Sequence, residues 1–253
     1  MNTQELVGYL NKFLEIDKIP DASLNGLQVQ GHNLTTKVGA AVDVCLDSVR
    51  AAAKAGVDFL IVHHGLFWGK EERLVGSHYE RIKSLVDADI NLYCAHLPLD
   101  WHPQVGNNAV LVREIGFEPV AGFGPSGAAD GRAIGCIALA PEEIDRATLI
   151  ERLCTALGTE IRSDCFGPNT IKRLAVVTGG GASLIPLALH EKIDAFITGE
   201  PKHSYFHYCK ENGITVLYGG HYQTETFGVI AMAKHLQAKF HLPFEFFDFP
   251  TGL

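Results

Sequence analysis

Two adjacent histidines, His63 and His64, stand between the apolar run at residues 59–62 and Gly65. Neighbouring strand residues point to opposite faces, but the chain turns where a strand ends, so both imidazoles can reach one crevice. Ligands of open α/β sheets bind at those carboxyl ends. An isolated His-His pair is equally compatible with hydrogen-bonded or solvated histidines. The pair becomes a candidate metal site only if other ligands converge on it.

Two further apolar segments end in a histidine that is followed four residues later by an acid. His96 precedes Asp100, and His221 precedes Glu225. Either segment alone could be an ordinary polar turn, and Glu225 could simply occupy the first turn of a helix whose dipole it favours. Together with the His-His pair, the three strand ends supply imidazole and carboxylate, which bind zinc, manganese, iron or nickel without a thiol.

The number of these ligands favours two metal ions over one. The candidate ligands are His63, His64, Asp100, His221 and Glu225. A single structural zinc takes four ligands and is closed, whereas two catalytic ions leave positions for water, which becomes a nucleophile near neutral pH. We therefore predict two divalent ions per chain and a metal-dependent hydrolase. His96 is the candidate catalytic residue, as a weak ligand, as a partner that orients a ligand, or as a proton shuttle.

The elements that must position these residues read as an α/β protein. The pattern predicts a first helix at 3–16 with Thr3 as its N-cap, and then the order β-α-β-α-β between residues 37 and 95. After a strand at 133–140 and a helix at 146–157, the same order recurs between residues 172 and 218. A helix at 224–238 and a strand at 244–249 close the chain. This order is typical of mostly parallel or mixed sheets.

The two runs resemble a diverged internal repeat. Residues 57–65 align with residues 193–201, and residues 90–100 align with residues 215–225. The Gly/Pro-rich segment at 122–127 suggests the boundary. We predict a first lobe at 1–125 with the His-His and His-x-x-x-Asp ligands. A second lobe at 126–253 carries the His-x-x-x-Glu ligands, and its last helix and strand pack back on the first lobe.

Composition argues against several function classes. The 253 residues are 47% hydrophobic and 20% charged, with a net charge of −8, which suits a globular protein with a sizeable core. No basic run suggests a nucleic-acid surface, and no signal peptide or membrane-spanning segment is expected, which predicts a cytoplasmic protein. The six cysteines contain no C-x-x-C and are expected to be free thiols.

A few other features allow two interpretations each. The glycines at 179–181 could cradle a phosphate or form a plain turn between a strand and a helix. Asp43, Glu200 and His203 could support the site or serve as turn and capping residues. The remaining histidines are expected to be structural or exposed: His32, His78, His102, His190, His207, His235 and His241.

Five segments in this order resemble the NIF-three-like family, whose members carry the label GTP cyclohydrolase 1 type 2. They lie at 24–29, 61–65, 95–100, 197–200 and 220–225 and extend over nearly the whole chain. The resemblance implies two intertwined α/β repeats, the five metal ligands named above, and a ring-shaped homohexamer with sites facing an internal cavity. This chain corresponds to the short form without a mid-chain insertion.

The label implies GTP as the small-molecule substrate, attack at C8 of the purine and release of formate. Other hydrolytic alternatives are a phosphoesterase and an amidohydrolase. The alternative of a different class is a non-enzymatic metal-binding or metal-handling scaffold that acts through protein interaction. The motifs identify metal ligands and do not distinguish between these functions.

Overall fold

A computed structural model describes residues 1–126 and 133–253. The chain divides into two compact units. Unit 1 consists of Met1–Val105 and Gly228–Phe249, and unit 2 consists of Gly106–Phe227 and Pro250–Leu253. Residues 122–126 of the Gly/Pro-rich segment lie in a strand, and Gly127 lies outside the described residues. The division at residue 125 therefore stays a prediction.

Unit 1 is built around one five-stranded sheet of order β1-β4-β3-β2-β11. Its elements are α1 (Thr3–Leu14), β1 (Gly26–Val29), β2 (Val38–Asp43), α2 (Leu46–Lys54), β3 (Phe59–His64), α3 (Gly76–Asp87), β4 (Asn91–Cys94), α4 (Leu97–Trp101), most of α10 (Thr226–Phe240) and β11 (Phe244–Phe246). Strands β2, β3, β4 and β11 are parallel, and β1 runs antiparallel to β4. The apolar strand β3 therefore lies inside the sheet.

Unit 2 contains a six-stranded sheet of order β5-β6-β8-β9-β10-β7. Its elements are α5 (Asn107–Glu114), β5 (Glu118–Ser126), β6 (Ala133–Asp145), α6 (Arg146–Leu157), β7 (Arg162–Cys165), β8 (Thr170–Val177), a 3₁₀ turn (Gly181–Leu184), α7 (Ile185–His190), β9 (Ala195–Thr198), a 3₁₀ turn (His203–Tyr205), α8 (Phe206–Asn212), β10 (Thr215–Tyr218) and α9 (His221–Thr224). Strands β8, β9 and β10 are parallel, while β7 runs antiparallel to β10. The expected mixed α/β class is confirmed.

Both units share a four-strand arrangement, as an internal repeat predicts. In unit 1 the order is β1-β4-β3-β2, and in unit 2 it is β7-β10-β9-β8, with the first strand of each set antiparallel. One pattern of hydrogen bonds between a carboxylate and backbone amides also recurs in both units. Asp58 accepts from the amides of Thr36 and Lys37, and Asp194 accepts from those of Lys172 and Arg173. Each carboxylate thus ties the start of one strand to the start of the next.

The core of unit 1 fixes the direction of β3. Leu60 and Val62 pack in one apolar cluster with Val49 of α2 and Leu85 of α3. On the opposite face of β3, the ring of Phe59 lies 5.9 Å from that of a buried tyrosine of β4. Because side chains alternate along a strand, burial on both faces fixes the register and hence the position where the strand ends.

The first helix has a different cap from the one predicted. The side chain of Asn2, not Thr3, accepts hydrogen bonds from the amides of Gln4 and Glu5. The Thr3 hydroxyl is buried and donates to the carbonyl of His32. Asparagine and threonine are both good caps, so tertiary burial of Thr3 decides between the two neighbours.

Among the described residues, every helix is too short or too polar to cross a lipid bilayer.

Candidate metal centre

The histidine pair stands at the carboxyl end of β3, as predicted. The rings of His63 and His64 lie 4.7 Å apart between centroids and are tilted by 49°. His63 is fully buried, whereas the side chain of His64 is 19% exposed. The two imidazoles therefore lie side by side at the carboxyl end of β3, although consecutive strand residues usually point to opposite faces.

The Nδ1 atoms of both rings face oxygen atoms. His63 Nδ1 lies 3.0 Å from the carbonyl oxygen of Ala95, and His64 Nδ1 lies 2.8 Å from Oδ1 of Asp43. A neutral imidazole that donates from Nδ1 carries its lone pair on Nε2. Metal-ligating histidines usually have such an acceptor behind them. Both rings are thus arranged to offer Nε2.

His96 belongs to the same cluster and has a buried carboxylate behind it. Its ring lies 5.1 Å from that of His63 and 5.7 Å from that of His64, and the three side chains offer nitrogens within 4.8 Å of one another. His96 Nδ1 lies 2.9 Å and 3.1 Å from the two oxygens of Asp21. The third imidazole therefore also presents Nε2.

Asp100 is the carboxylate among the candidate ligands of unit 1. It lies on α4, which begins directly after His96, and its amide donates to the carbonyl of His96. This single helical turn explains the spacing of four residues. Asp100 is buried, and its Oδ1 lies 3.6 Å from Nε2 of His63.

In unit 2, β10 is followed by Gly219 and Gly220, and His221 then opens α9 and lies between two carboxylates. Its Nδ1 is 2.6 Å from Oε1 of Glu200, and its Nε2 is 3.2 Å from Oε2 of Glu225. The hydrogen bond to Glu225 is the main reason that the pKa of His221 rises to about 9, and Glu200 adds to the effect against the opposing effect of burial. A divalent cation at Nε2 would replace this proton.

Gly179 makes room for the Glu225 carboxylate. A Cβ atom at Gly179 would lie 2.1 Å from Oε1 of Glu225 and 3.1 Å from Nε2 of His221. The residue also has φ of +64°, which favours glycine. The backbone of the glycine turn therefore lies directly against the side chains of Glu225 and His221.

The phosphate-cradle interpretation of this turn fits poorly. The amide of Gly179 donates to the hydroxyl of Thr224, and the amide of Gly181 donates to that of Thr198. Two of the amides needed to hold a phosphate are thus already bonded. The structure favours the plain turn, which lies against Glu225.

Each of the six predicted side chains lies beside another member of the set. Unit 1 brings His63, His64, His96 and Asp100 together, and unit 2 brings His221 and Glu225 together. Of the residues left open, Asp43 and Glu200 each contact a histidine Nδ1, whereas His203 is exposed. The sequence interpretation missed Asp21, which lies 75 residues from its partner in a turn-rich segment.

The donor chemistry fits a divalent metal of borderline character. Within the described part of the chain the clustered donors are imidazole and carboxylate, without a thiol. Burial raises the pKa of the Cys94 thiol to about 12, which keeps it protonated beside the carbonyl of His63. All six cysteines are free, as expected. Zinc, manganese, iron and nickel all accept the remaining donors.

Comparison with known proteins shows similarity along the whole chain. The family model for Duf34/NIF3 (NGG1p interacting factor 3) matches residues 1–251. A protein of Deinococcus radiodurans named GTP cyclohydrolase 1 type 2 homolog is 42% identical over 98% of this chain and 94% of its own length. One of the same name from Archaeoglobus fulgidus is 40% identical over the full length of both chains.

The fold comparison gives the same result. The crystal structure of TTHA1606 from Thermus thermophilus superposes with a TM-score of 0.92 at 45% identity and covers 100% of both chains.

Proposed function

Because the chain belongs to the Duf34/NIF3 (NGG1p interacting factor 3) family, we propose that it is a metal-dependent hydrolase that holds two divalent ions per chain. One observation carries the proposal. The histidines of the predicted set, together with His96, all have Nδ1 against an oxygen acceptor, which makes Nε2 the nitrogen that a cation would bind. Four such arrangements are difficult to explain for histidines that merely fill a core.

The proposed ligands are two imidazoles and a carboxylate from unit 1, and one of each from unit 2. They are His63, His64, Asp100, His221 and Glu225. Five ligands for two ions leave coordination positions for water and substrate. Bound there, divalent ions would lower the pKa of water and stabilise negative charge that develops on the substrate.

The protein's own side chains supply the other requirements of hydrolysis. Asp43 and Glu200 orient His64 and His221 through Nδ1. Of the three roles considered for His96, we propose the proton shuttle, with Nε2 as the atom that moves the proton. The relatives' name supports GTP as the first substrate to test, with attack of water at C8 and release of formate.

We also propose, from the family resemblance alone, that the chain assembles as a homohexamer. Light scattering of the purified protein at micromolar concentration should give about six times 27.5 kDa. A stable monomer would contradict this assembly.

The decisive experiment combines metal analysis with a substrate screen. The purified chain is stripped with a chelator and reloaded separately with zinc, manganese, iron or nickel, and bound metal is counted. Each form is then incubated with GTP, with ATP as comparator, and with phosphoester and amide substrates, and formate and other products are measured. His64→Ala, purified identically, controls for contaminating hydrolases.

We expect close to two ions per chain and a turnover that requires metal and is lost in His64→Ala. At most one ion after soaking would remove the two-metal proposal. Full metal loading without turnover of any substrate would favour the metal-handling scaffold instead.

A further inference from the structure

Asp21 is a buried carboxylate at which four hydrogen-bond donors converge. Its side chain is only 3% exposed. One donor is His96 Nδ1, at 2.9 Å, and a second is the amide of Leu97, at 3.0 Å. The amide of Ser23, at 3.0 Å, and Nδ2 of Asn25, at 2.9 Å, complete the set. A carboxylate has enough acceptor sites for all four donors.

The ring of His96 is held from a second side as well. The indole of Trp68 meets it edge to face at 5.0 Å, and Oδ1 of Asn25 accepts from the backbone amide of His96 at 2.8 Å. The side chain of His96 keeps 20% of its surface exposed. The imidazole is thus fixed in orientation while part of it remains accessible.

From this network we infer that Asp21 is the positioning residue that keeps the His96 proton on Nδ1, so that the Nε2 lone pair exchanges a proton with water during hydrolysis. The inference rests on the proposed function for the identity of the reaction. Its structural half, the fixed tautomer of His96, stands independently of any substrate.

The proton balance of the step is simple. Nε2 of His96 accepts one proton as the oxygen of water bonds to the electrophilic atom of the substrate. The bond to the leaving group breaks, and the same proton passes from Nε2 to that group. Nδ1 keeps its own proton toward Asp21 throughout, and the imidazolium formed in between is stabilised by the adjacent carboxylate.

A carboxylate is required here because an amide would replace one of its two acceptor oxygens with an NH₂ donor. In Asp21→Asn the side chain has one acceptor oxygen and one NH₂ group for the same four donors. If the NH₂ faces His96, it donates to Nδ1 and moves the imidazole proton to Nε2. If it faces Leu97, two N–H groups oppose each other and a partly buried amide loses its acceptor.

The first test observes the tautomer directly. The full-length, metal-free chain is labelled with ¹⁵N-histidine, and long-range ¹H–¹⁵N spectra are recorded, with His96→Gln to assign the signal. We expect protonated Nδ1 and unprotonated Nε2 in the wild type, and loss of this pattern in Asp21→Asn. Asn25→Ala is the matched control, since it removes one donor to Asp21 and the acceptor of the His96 backbone amide but not the contact to the imidazole.

A wild-type spectrum with the proton on Nε2 would overturn the inference without any variant. So would an Asp21→Asn spectrum identical to that of the wild type. The wild-type result remains decisive even if Asp21→Asn fails to fold.

The second test separates action through His96 from general destabilisation. With the substrate found in the screen, Asp21→Asn should lower kcat by about 10- to 100-fold while metal stoichiometry is unchanged. In the His96→Gln background the same change should lower kcat less than about twofold, because residues that act as a unit are not additive. Independent, multiplicative losses would overturn the inference. If no substrate is turned over, the hydrolase proposal fails, and the spectra alone decide the role of Asp21.

Discussion

Asp43 and His64 are register partners on the adjacent parallel strands β2 and β3, with the carboxylate oxygen 2.8 Å from Nδ1 of the imidazole. The pairing places an anion directly behind a proposed metal ligand. A histidine oriented in this way binds a cation more tightly than an imidazole that is free to rotate.

Replacing this carboxylate should weaken metal binding without removing a ligand. We expect Asp43→Ala to lower the affinity for zinc or manganese by about 10- to 100-fold. Titration calorimetry of the stripped protein measures the change. Asp47→Ala is a suitable control because Asp47 is a nearby exposed acid in the first turn of α2. Equal metal affinities of the two variants would show that Asp43 makes no contribution to metal binding.

Glu225 tests whether unit 2 contributes a ligand. Glu225→Gln is nearly isosteric and removes one negative charge, so a ligand role predicts loss of at least one ion or an affinity at least about tenfold weaker. If the residue only pairs with His221 and favours the helix dipole, the variant should lower the free energy of unfolding and leave metal content intact.

Elemental analysis and metal titration of Glu225→Gln, beside His64→Ala, distinguish the two outcomes. Glu211→Gln controls for a simple loss of charge, because Glu211 is an exposed glutamate of α8. Wild-type metal content in Glu225→Gln would exclude Glu225 as a ligand.

Gly179→Ala offers a test through the backbone. Its new Cβ would lie 2.1 Å from the Glu225 carboxylate, so we expect displacement of that side chain and loss of metal binding. Alanine at a positive φ also costs about 1–2 kcal/mol in stability. Gly158 has a similar φ of +68°, and a Cβ there would meet no described atom within 4 Å, so Gly158→Ala should show the stability loss alone. Metal binding that survives in Gly179→Ala would mean that Glu225 is not held in place by this turn.

A histidine outside the site should make stability depend on pH. Burial, followed by the charge of Lys239, lowers the pKa of His235, which stacks against Phe13 and contacts the Tyr9 hydroxyl. The folded state therefore binds a proton at His235 less well than the unfolded state does. The contribution of neutral His235 to the free energy of unfolding is complete above the ordinary pKa near 6.5, and it is lost as the pH falls through the lowered pKa.

Urea unfolding at several pH values between 7.5 and 5 measures this dependence. His235→Gln should be less stable than the wild type at pH 7.5 and should lose less stability on acidification. His190→Gln, at a histidine whose side chain is 81% exposed, should retain the wild-type slope. An unchanged slope in His235→Gln would contradict the prediction.

Local pattern was sufficient to predict the central strands and the ligands that follow them. The run at 59–62 has the apolar, branched residues of a buried strand and ends in two polar side chains, and the structure extends β3 through His64. In contrast, strand β1 is absent from the predicted elements, because it begins at Gly26, within the turn signal Asn25-Gly26. Its strand conformation depends on antiparallel pairing with β4, more than 60 residues away, which no local pattern can express.

Asp21 illustrates the same limit within the site. Its hydrogen bond from the Ser23 amide is an ordinary turn contact that Asp-x-Ser predicts. Its contact with His96 depends on the fold, and nothing in the spacing of the two residues indicates it.

The recurrence of the Asp58 and Asp194 hydrogen bonds has an evolutionary consequence. If one ancestral half once paired with a copy of itself, each mutation would have appeared in both halves at once. Fusion into a single gene lets the two copies change separately. In the alignment of the two runs, His63 and His64 correspond to Gly199 and Glu200. One copy could thus acquire imidazoles while the other acquired the carboxylate that now orients His221.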